Sequence, residues 1–146
     1  MQIEVMSRRE LEKAKLNDGV SYAIISIGDP NFQPIKLKKS AQIKDDKILR
    51  LEFYDVIKKS FKYYPISEQD SIKIAKFIRK IRKNTDVLIV QCEAGISRSA
   101  GVAAAISKWM WDKDDIYFDF NRFIPNMKCY EETLRAFYRT SNILTK

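Results

Sequence analysis

The segment TDVLIV, residues 85 to 90, constrains the fold of this chain more than any other stretch. Its last four residues are all apolar, which is typical of a central parallel strand that is covered on both faces. Gln91, Cys92 and a glycine-containing loop follow, and then an alanine-rich segment from Ser99 to Trp111 that favours a helix. A strand, a short loop and a helix in this order predict one unit of a parallel α/β sheet.

The rest of the chain shows alternating signals for strands and helices. Predicted strands lie at QIEVM near the start, at Val20–Asp29 and at Lys47–Asp55. Predicted helices run over about Ser7–Asn17, Ser67–Asn84 and Met127–Ile143, the first two opened by capping boxes. With no linker and no repeat in the sequence, we expect one α/β domain over residues 1–146. Its mainly parallel sheet should have about four to five strands, flanked by helices.

The composition excludes several other classes of protein. The chain is 45% hydrophobic and 12% aromatic, whereas disordered chains lack such residues. No window approaches the roughly eighteen apolar residues of a membrane span. The first ten residues lack the basic and apolar regions of a secretory signal, and two cysteines make no disulfide framework. We therefore expect a cytoplasmic monomer with no membrane segment.

Positive charge is concentrated in one part of the chain. The formal net charge is +8, and the segment from Lys36 to Lys83 holds 15 Lys and Arg against 6 Asp and Glu. Such a surface suits nucleic acid or phosphorylated proteins, or it is a solvated face without a partner. Because the sequence contains no nucleic-acid-binding motif, we do not expect nucleic acid as a partner.

The loop after the central strand has the chemistry of an anion site. Ligands of open α/β sheets bind beyond the carboxyl ends of the strands, where the segment from Cys92 to Arg98 is predicted to lie. Gly95 permits a close approach of the backbone, and the N-terminus of the next helix favours an anion. Arg98 matches two phosphate oxygens at once. The same groups favour the thiolate of Cys92, which is the nucleophilic form.

The spacing Cys-x5-Arg does not by itself predict this chemistry, because the chain contains it twice. The second copy runs from Cys129 to Arg135, lacks a glycine and carries Glu131 and Glu132. It also lies in a helical pattern, where backbone N–H groups are already bonded. We therefore expect Cys129 to pack as a small hydrophobic residue.

The motif CEAGISRS, from Cys92 to Ser99, resembles the signature loop of the cysteine-dependent protein tyrosine phosphatases. It is most similar to the dual-specificity type, whose loop typically reads HC-x-A-G-x-S-R-S. The strand that ends near Asp55 and the FIPN turn before the last helix also resemble small phosphatases of bacterial and phage type. The resemblance implies the dual-specificity fold and a phosphatase that acts on phosphotyrosine, with phosphoserine and phosphothreonine as further substrates.

The resemblance also implies a role for each residue of the loop. Cys92 would attack phosphorus and form a phosphocysteine, and Ser99 would donate a hydrogen bond to the sulfur. The Arg98 guanidinium and the backbone amides would bind the phosphate oxygens. Those amides belong to Glu93, Ala94, Gly95, Ile96, Ser97 and Arg98. No metal and no other cofactor is expected, because the arginine and the amides already supply positive potential.

A carboxylic acid must also protonate the leaving oxygen, and two aspartates are candidates. Asp55 lies just beyond a predicted strand, in an arrangement similar to that of the dual-specificity enzymes. Asp29 also ends a predicted strand, although its Gly-Asp-Pro context equally favours a turn. We predict that Asp55 is the acid, and Asp29 stays open as the alternative.

Gln91 departs from the family pattern, in which a histidine usually precedes the nucleophile. The chain contains no histidine at all. Glutamine can order the loop through hydrogen bonds, but it adds no positive charge. We therefore expect slower turnover rather than inactivity. A catalytically impaired phosphate-binding module and a rhodanese-like sulfurtransferase are the alternative functions.

The residues in and near the loop also bear on the substrate. The stretch EAGIS contains no lysine, and Glu93 disfavours a ligand with several negative charges, such as an inositol polyphosphate. A phosphorylated protein or peptide is therefore the expected partner. Lys58, Lys59 and Lys62 follow Asp55 and suit acidic substrates, although an exposed basic loop without a partner is the alternative.

Overall fold

Parallel strands form the centre of the structure, a computed structural model that describes residues 1–38 and 43–144. In that part of the chain the strands are β1 (Gln2–Ser7), β2 (Tyr22–Gly28), β3 (Ile48–Glu52) and β4 (Val87–Cys92). Their order across the sheet is β1-β4-β2-β3, and each neighbouring pair is parallel. The predicted α/β fold with a parallel sheet is therefore confirmed. Residues 39–42 of the basic segment, and 145–146 at the end, lie outside the described residues.

Helices connect and cover these strands. They are α1 (Arg8–Lys13), α2 (Glu68–Ile81), α3 (Arg98–Trp111) and α4 (Met127–Leu144). Short 3-10 turns lie at Asp45–Lys47, Arg82–Asn84 and Asp115–Phe118. Both predicted capping boxes are present, since each N-cap serine exchanges hydrogen bonds with the acidic residue three positions on. Within the described residues, no helix is both long and apolar enough to cross a membrane.

The strand β4 is covered on both faces, as its unbroken apolar run predicts. Leu88 and Val90 belong to the larger core cluster, to which α2, α3 and α4 contribute. Ile89 belongs to a smaller cluster on the other face, with Leu11 of α1 and Ile24 of β2. Successive side chains of a strand point to opposite faces, so a strand that is covered on both faces favours apolar residues at consecutive positions.

The predicted end of the first helix was wrong. α1 ends at Lys13 rather than near Asn17, because the chain turns to an extended conformation at Ala14. This turn lets Leu16 pack against the smaller core cluster. The packing of one partly buried leucine thus prevailed over a local helical pattern, which is a weak preference.

The predicted strand Lys47–Asp55 was too long at its end. β3 ends at Glu52, and the N–H group of Tyr54 then donates to the carbonyl oxygen of Tyr64 at 2.9 Å. This contact draws the chain away from the sheet edge. Asp55 consequently lies in a loop that is tied back on itself, beyond the end of the strand.

Candidate active site

The carboxyl ends of β2, β3 and β4 lie at one edge of the sheet, and the predicted site residues lie just beyond it. Asp29 follows β2, Asp55 follows β3, and Cys92 is the last residue of β4. Hydrogen bonds from Arg98 to Asp29 and from Ser97 to Asp55 join both aspartates to the segment that follows Cys92. The parallel topology therefore brings together groups that are far apart in sequence.

The loop from Glu93 to Ser97 uses its carbonyl groups to contact the surrounding scaffold. Three carbonyls accept from scaffold N–H groups: Glu93 from Arg8 (3.1 Å), Ile96 from Ile124 (3.0 Å) and Ser97 from Asn126 (3.0 Å). No backbone N–H of residues 93 to 97 donates to an acceptor in the described part of the chain. A run of free N–H groups before a helix N-terminus is suited to an anion.

Gly95 fixes the position of this loop against β1. Its φ is +67°, a left-handed conformation that side chains disfavour. A Cβ at this position would lie 2.5 Å from the Ser7 nitrogen and 2.7 Å from the Met6 carbonyl carbon. Glycine is therefore needed twice, for its backbone angle and for this close approach.

Gly95→Ala is expected to destabilise the fold by about 2–4 kcal/mol, because alanine must adopt a positive φ and also displace backbone atoms of β1. Gly19→Ala is the matched control, since Gly19 has φ +77° with no heavy atom within 4 Å of a built Cβ. It should cost only about 1 kcal/mol. Urea unfolding followed by tryptophan fluorescence measures both free energies. Equal costs would contradict the packing of the loop against β1.

The Arg98 guanidinium is only 5% exposed, yet its hydrogen-bonding capacity is not filled. Nη1 donates to Asp29 Oδ1 at 2.8 Å and to the Phe53 carbonyl oxygen at 2.7 Å. Nε is buried and has no hydrogen-bond partner among the described residues. A buried, charged donor without a partner costs free energy until an acceptor arrives. Asp29 and Phe53 thus hold Nη1 of the guanidinium, while the donor at Nε is unused.

The thiol of Cys92 lies against a hydroxyl group at the start of α3. Its Sγ is 3.0 Å from Ser99 Oγ, and the two residues are 2% and 0% exposed. If the sulfur is a thiolate, the Ser99 hydroxyl is the donor of this hydrogen bond. The role that the family resemblance implies for Ser99, a hydrogen bond to the nucleophilic sulfur, stays a prediction.

The second Cys-x5-Arg copy has a different environment. Cys129 lies in α4 and is fully buried. Burial raises the pKa of the Cys129 thiol well above its usual value, and the negative charge of Asp55 adds to the shift. Arg135 is engaged by Glu132 at 2.7 Å. The thiol of Cys129 is therefore held in its unreactive form, consistent with the predicted structural role.

Asp55 is held beside the loop by two side chains. Ser97 Oγ donates to Asp55 Oδ1 at 2.8 Å, and Asn126 Nδ2 donates to the same oxygen at 2.9 Å. Asn126 Nδ2 also contacts the carbonyl oxygen of Val56 at 3.2 Å. Asn126 Oδ1 accepts from the N–H of Cys129 at 2.9 Å, which caps α4. One amide therefore joins the start of α4 to the candidate acid.

Comparison with known proteins gives matches in structure. No family model matches the chain, and no curated protein matches it by sequence. The human tyrosine phosphatase-like serine/threonine/tyrosine-interacting protein aligns over 99% of this chain and 93% of its own, with 21% identity and a TM-score of 0.58. Human DUSP28 aligns over 97% and 94%, with 15% identity and a TM-score of 0.57. PTPMT1 in complex with PI(5)P aligns over 98% and 94%, with 14% identity and a TM-score of 0.61.

This chain has the dual-specificity phosphatase fold. The matches cover nearly all of each chain, so the likeness extends beyond the loop that suggested it. At these identities the likeness is one of architecture. The roles of individual residues must therefore be argued from the geometry of this chain.

Gln91 is buried near the end of β4 in this dual-specificity phosphatase fold. It is 1% exposed, and its Oε1 accepts a 2.6 Å hydrogen bond from Ser26 Oγ. Ser26 is the residue directly opposite Gln91 in β2 and is also fully buried. A satisfied buried polar pair rigidifies its surroundings, here the strand end that carries Cys92.

Sequence reasoning missed Ser26 and Asn126. The signal for Ser26 was a serine in the interior of a strand whose neighbouring residues are apolar. Asn126 was visible as an asparagine directly before the helix that starts at Met127, which is a common N-cap position. Neither signal identifies the hydrogen-bond partner, because Gln91 lies 65 residues from Ser26 and Asp55 lies 71 residues from Asn126.

Asn126→Asp is expected to separate the cap of α4 from the support of Asp55. An aspartate still caps the helix, whereas Asn126→Ala loses the cap and about 1 kcal/mol of unfolding free energy. The new carboxylate also repels Asp55 and removes the amide that donates to it, so Asp55 should lose its fixed position beside Ser97. For the phosphatase activity expected from the sequence, turnover of an aryl phosphate by Asn126→Asp should fall about tenfold. Turnover equal to that of the wild type would contradict the contact with Asp55.

Proposed function

We propose that this protein is a cysteine-dependent phosphatase that hydrolyses phosphate monoesters on proteins. Phosphotyrosine is the main substrate, and phosphoserine and phosphothreonine are further ones. One observation carries the proposal: the free N–H groups of residues 93 to 97 and the unpartnered Nε of Arg98 belong to the same loop as Cys92. Donors without acceptors, grouped next to a nucleophile, match the equatorial oxygens of a transferring phosphoryl group.

The proposed reaction has two steps. The Cys92 thiolate attacks phosphorus and forms the S–P bond, while the ester P–O bond breaks and Asp55 gives its proton to the leaving oxygen. A water molecule then attacks the phosphocysteine, and Asp55 takes a proton from it. The S–P bond breaks, inorganic phosphate leaves, and the Ser99 hydroxyl stabilises the returning thiolate. Arg98 and the loop amides bind the phosphoryl oxygens in both steps.

Asp55 favours phosphoryl transfer over sulfur transfer. A sulfurtransferase also needs a cysteine in an anion-binding loop, but it has no alkoxide or phenoxide leaving group to protonate. In this chain a carboxylate is hydrogen-bonded to Ser97 of that loop at 2.8 Å and is supported by Asn126. An acid placed beside the nucleophile suits the cleavage of an ester bond.

The proposal is tested by acid-quenching the protein during turnover of para-nitrophenyl phosphate and of a phosphotyrosine peptide. Peptide mass spectrometry should then find the phosphoryl group on Cys92, with Cys129 unmodified as the internal control. A persulfide on Cys92 after incubation with thiosulfate, without phosphatase turnover, would instead indicate a sulfurtransferase. Binding of vanadate without any turnover would indicate the phosphate-binding module.

A further inference from the structure

A groove lies directly beside the candidate active site. We define the flanking groove by its lining residues, which are Asp55 to Lys58, Ser60, Ser97 and Ile124 to Met127. Its volume of about 650 Å³ is in the range of sites that bind small ligands or short peptide segments. We propose that the flanking groove binds an apolar side chain next to the phosphorylated residue of an acidic phosphopeptide.

The position of the groove fixes which part of a substrate reaches it. Asp55 and Ser97, which hydrogen-bond to each other at 2.8 Å, line the groove and also belong to the candidate site. The flanking groove and the candidate site therefore have Asp55 and Ser97 in common. An extended chain advances about 3.3–3.6 Å per residue, so a side chain one or two positions from the phosphorylated residue would enter the groove.

The walls of the groove expose apolar surface that nothing in the described chain covers. Ile57 on the loop after β3 is 58% exposed. Ile124, on the turn before α4, and Met127, the first residue of α4, are 64% and 43% exposed. Large apolar side chains on facing walls of a concave surface are typical of a binding site. An apolar side chain of the substrate would remove this surface from water.

The charges around the candidate site are unevenly distributed, and they favour acidic residues of a substrate only on the side of the groove. Lys58 lines the groove, and Lys59 and Lys62 follow it in the same exposed loop. None of these lysines forms an ion pair with a carboxylate of the described residues. Glu93 is exposed at the other end of the Glu93–Ser97 loop from Ser97, which lines the groove, and the backbone carbonyl of Glu93 accepts from the Arg8 N–H. Acidic residues of a peptide would therefore be attracted beyond the groove and repelled near Glu93.

The loop that carries these lysines is supported by contacts within it. The ring of Tyr54 packs edge-on against Tyr63 and Tyr64, with centroids 4.8 and 5.4 Å apart. The N–H of Ser60 donates to the carbonyl oxygen of Tyr63 at 2.8 Å, which closes the turn. A wall that is ordered before binding lowers the entropy cost of association.

A peptide fits these observations better than a membrane surface does. Phe61 is 98% exposed between Lys59 and Lys62, a combination that also suits an anionic bilayer. The groove, however, is concave, and its lining includes the 5% exposed Asn126. A bilayer would contact only the tip of the loop, whereas a single extended chain can follow the concave surface.

The inference rests on the proposed function, because it names the substrate of the same site. The test uses pairs of phosphotyrosine peptides. In one set, the two peptides of a pair have isoleucine or serine next to the phosphotyrosine, and this position is tested on each side in turn. In a second set, they have aspartate or asparagine at a position further from the phosphotyrosine. We expect kcat/KM to be about three- to tenfold higher for isoleucine on one side. The aspartate peptides should also be preferred at low salt, and that preference should fade at high salt.

Two variants show whether the groove is responsible. Ile124→Ser should bring the isoleucine-to-serine ratio of kcat/KM close to one, while the backbone hydrogen bond of residue 124 to Ile96 stays in place. Ile116→Ser is the matched control, because Ile116 is 63% exposed but does not line the groove. It should leave the ratio unchanged. A wild-type ratio of one on both sides, or a ratio that survives Ile124→Ser, overturns the inference.

Failure of the proposed function is distinguishable from failure of this inference. If neither para-nitrophenyl phosphate nor any peptide is hydrolysed, the proposed function fails, and the same peptide pairs are compared by their Kd in fluorescence anisotropy. An isoleucine preference in Kd that Ile124→Ser removes supports the groove, and equal Kd values overturn it. Sedimentation with phosphatidylserine vesicles is the last measurement, and it tests a membrane as the alternative partner. Vesicle binding that Phe61→Ser abolishes, together with a peptide ratio of one, would assign the surface to a membrane and overturn the inference.

Discussion

Cys92→Ser is expected to lower kcat for an aryl phosphate by at least about 10⁴-fold while the protein stays folded. A hydroxyl group is a poor nucleophile unless a base activates it, and the chain contains no histidine to serve as that base. The loop donors remain in place after the substitution, so binding of a phosphotyrosine peptide should persist. Single-turnover assays measure the first effect, and fluorescence anisotropy measures the second.

Cys129→Ala is the matched control for this substitution, because Cys129 begins the second Cys-x5-Arg copy of the chain. Its thiol is buried in α4, so its removal should leave kcat within about threefold of the wild type. The cost should appear in stability, at about 1 kcal/mol for a small cavity. Retention of aryl phosphatase turnover in Cys92→Ser would contradict the nucleophile, and so would its loss in Cys129→Ala alone.

The parts of the fold that were predictable are those where local pattern and tertiary packing demand the same thing. Residues 87 to 90 of β4 are all apolar because the two faces of the strand, represented by Leu88 and Ile89, pack against different core clusters, and the sequence shows this run directly. The helix α2 starts at a capping box that uses only neighbours in sequence. The end of α1 was not predictable, because it depends on Leu16 reaching a cluster formed by distant strands.

The candidate site likewise has residues that were predictable from the sequence and contacts that were not. Cys92, Gly95 and Ser99 are close in sequence, and their context in one strand–loop–helix unit identified the loop. The contact of Arg98 with Asp29 spans 69 residues, and that of Asn126 with Asp55 spans 71. Neither pairing leaves a local signal, since it depends on which strands end at one edge of the sheet. For this reason the prediction of Asp55 over Asp29 as the acid rested on the family resemblance, and the structure adds the partner of each, which is Ser97 for Asp55 and Arg98 for Asp29.

Asp55→Asn is expected to lower kcat for phenyl phosphate by about 10²–10⁴-fold, but to have only a small effect on a substrate whose leaving phenol is strongly acidic. The amide oxygen can still accept from Ser97 and Asn126, so the loop should keep its geometry. What the variant lacks is the proton for the leaving oxygen, and a poor leaving group needs that proton most. A plot of log kcat against the pKa of the leaving phenol should therefore become steeper.

Asp29→Asn is the matched comparison, and it should shift that plot without changing its slope. The carboxylate of Asp29 accepts a hydrogen bond from the Arg98 guanidinium at 2.8 Å. A carboxylate that is engaged in holding Arg98 is poorly placed to serve the leaving oxygen as well. Its neutral replacement weakens the grip on Arg98, so kcat/KM should fall about three- to tenfold for every leaving group alike. A steeper plot for Asp29→Asn, with an unchanged slope for Asp55→Asn, would exchange the two roles.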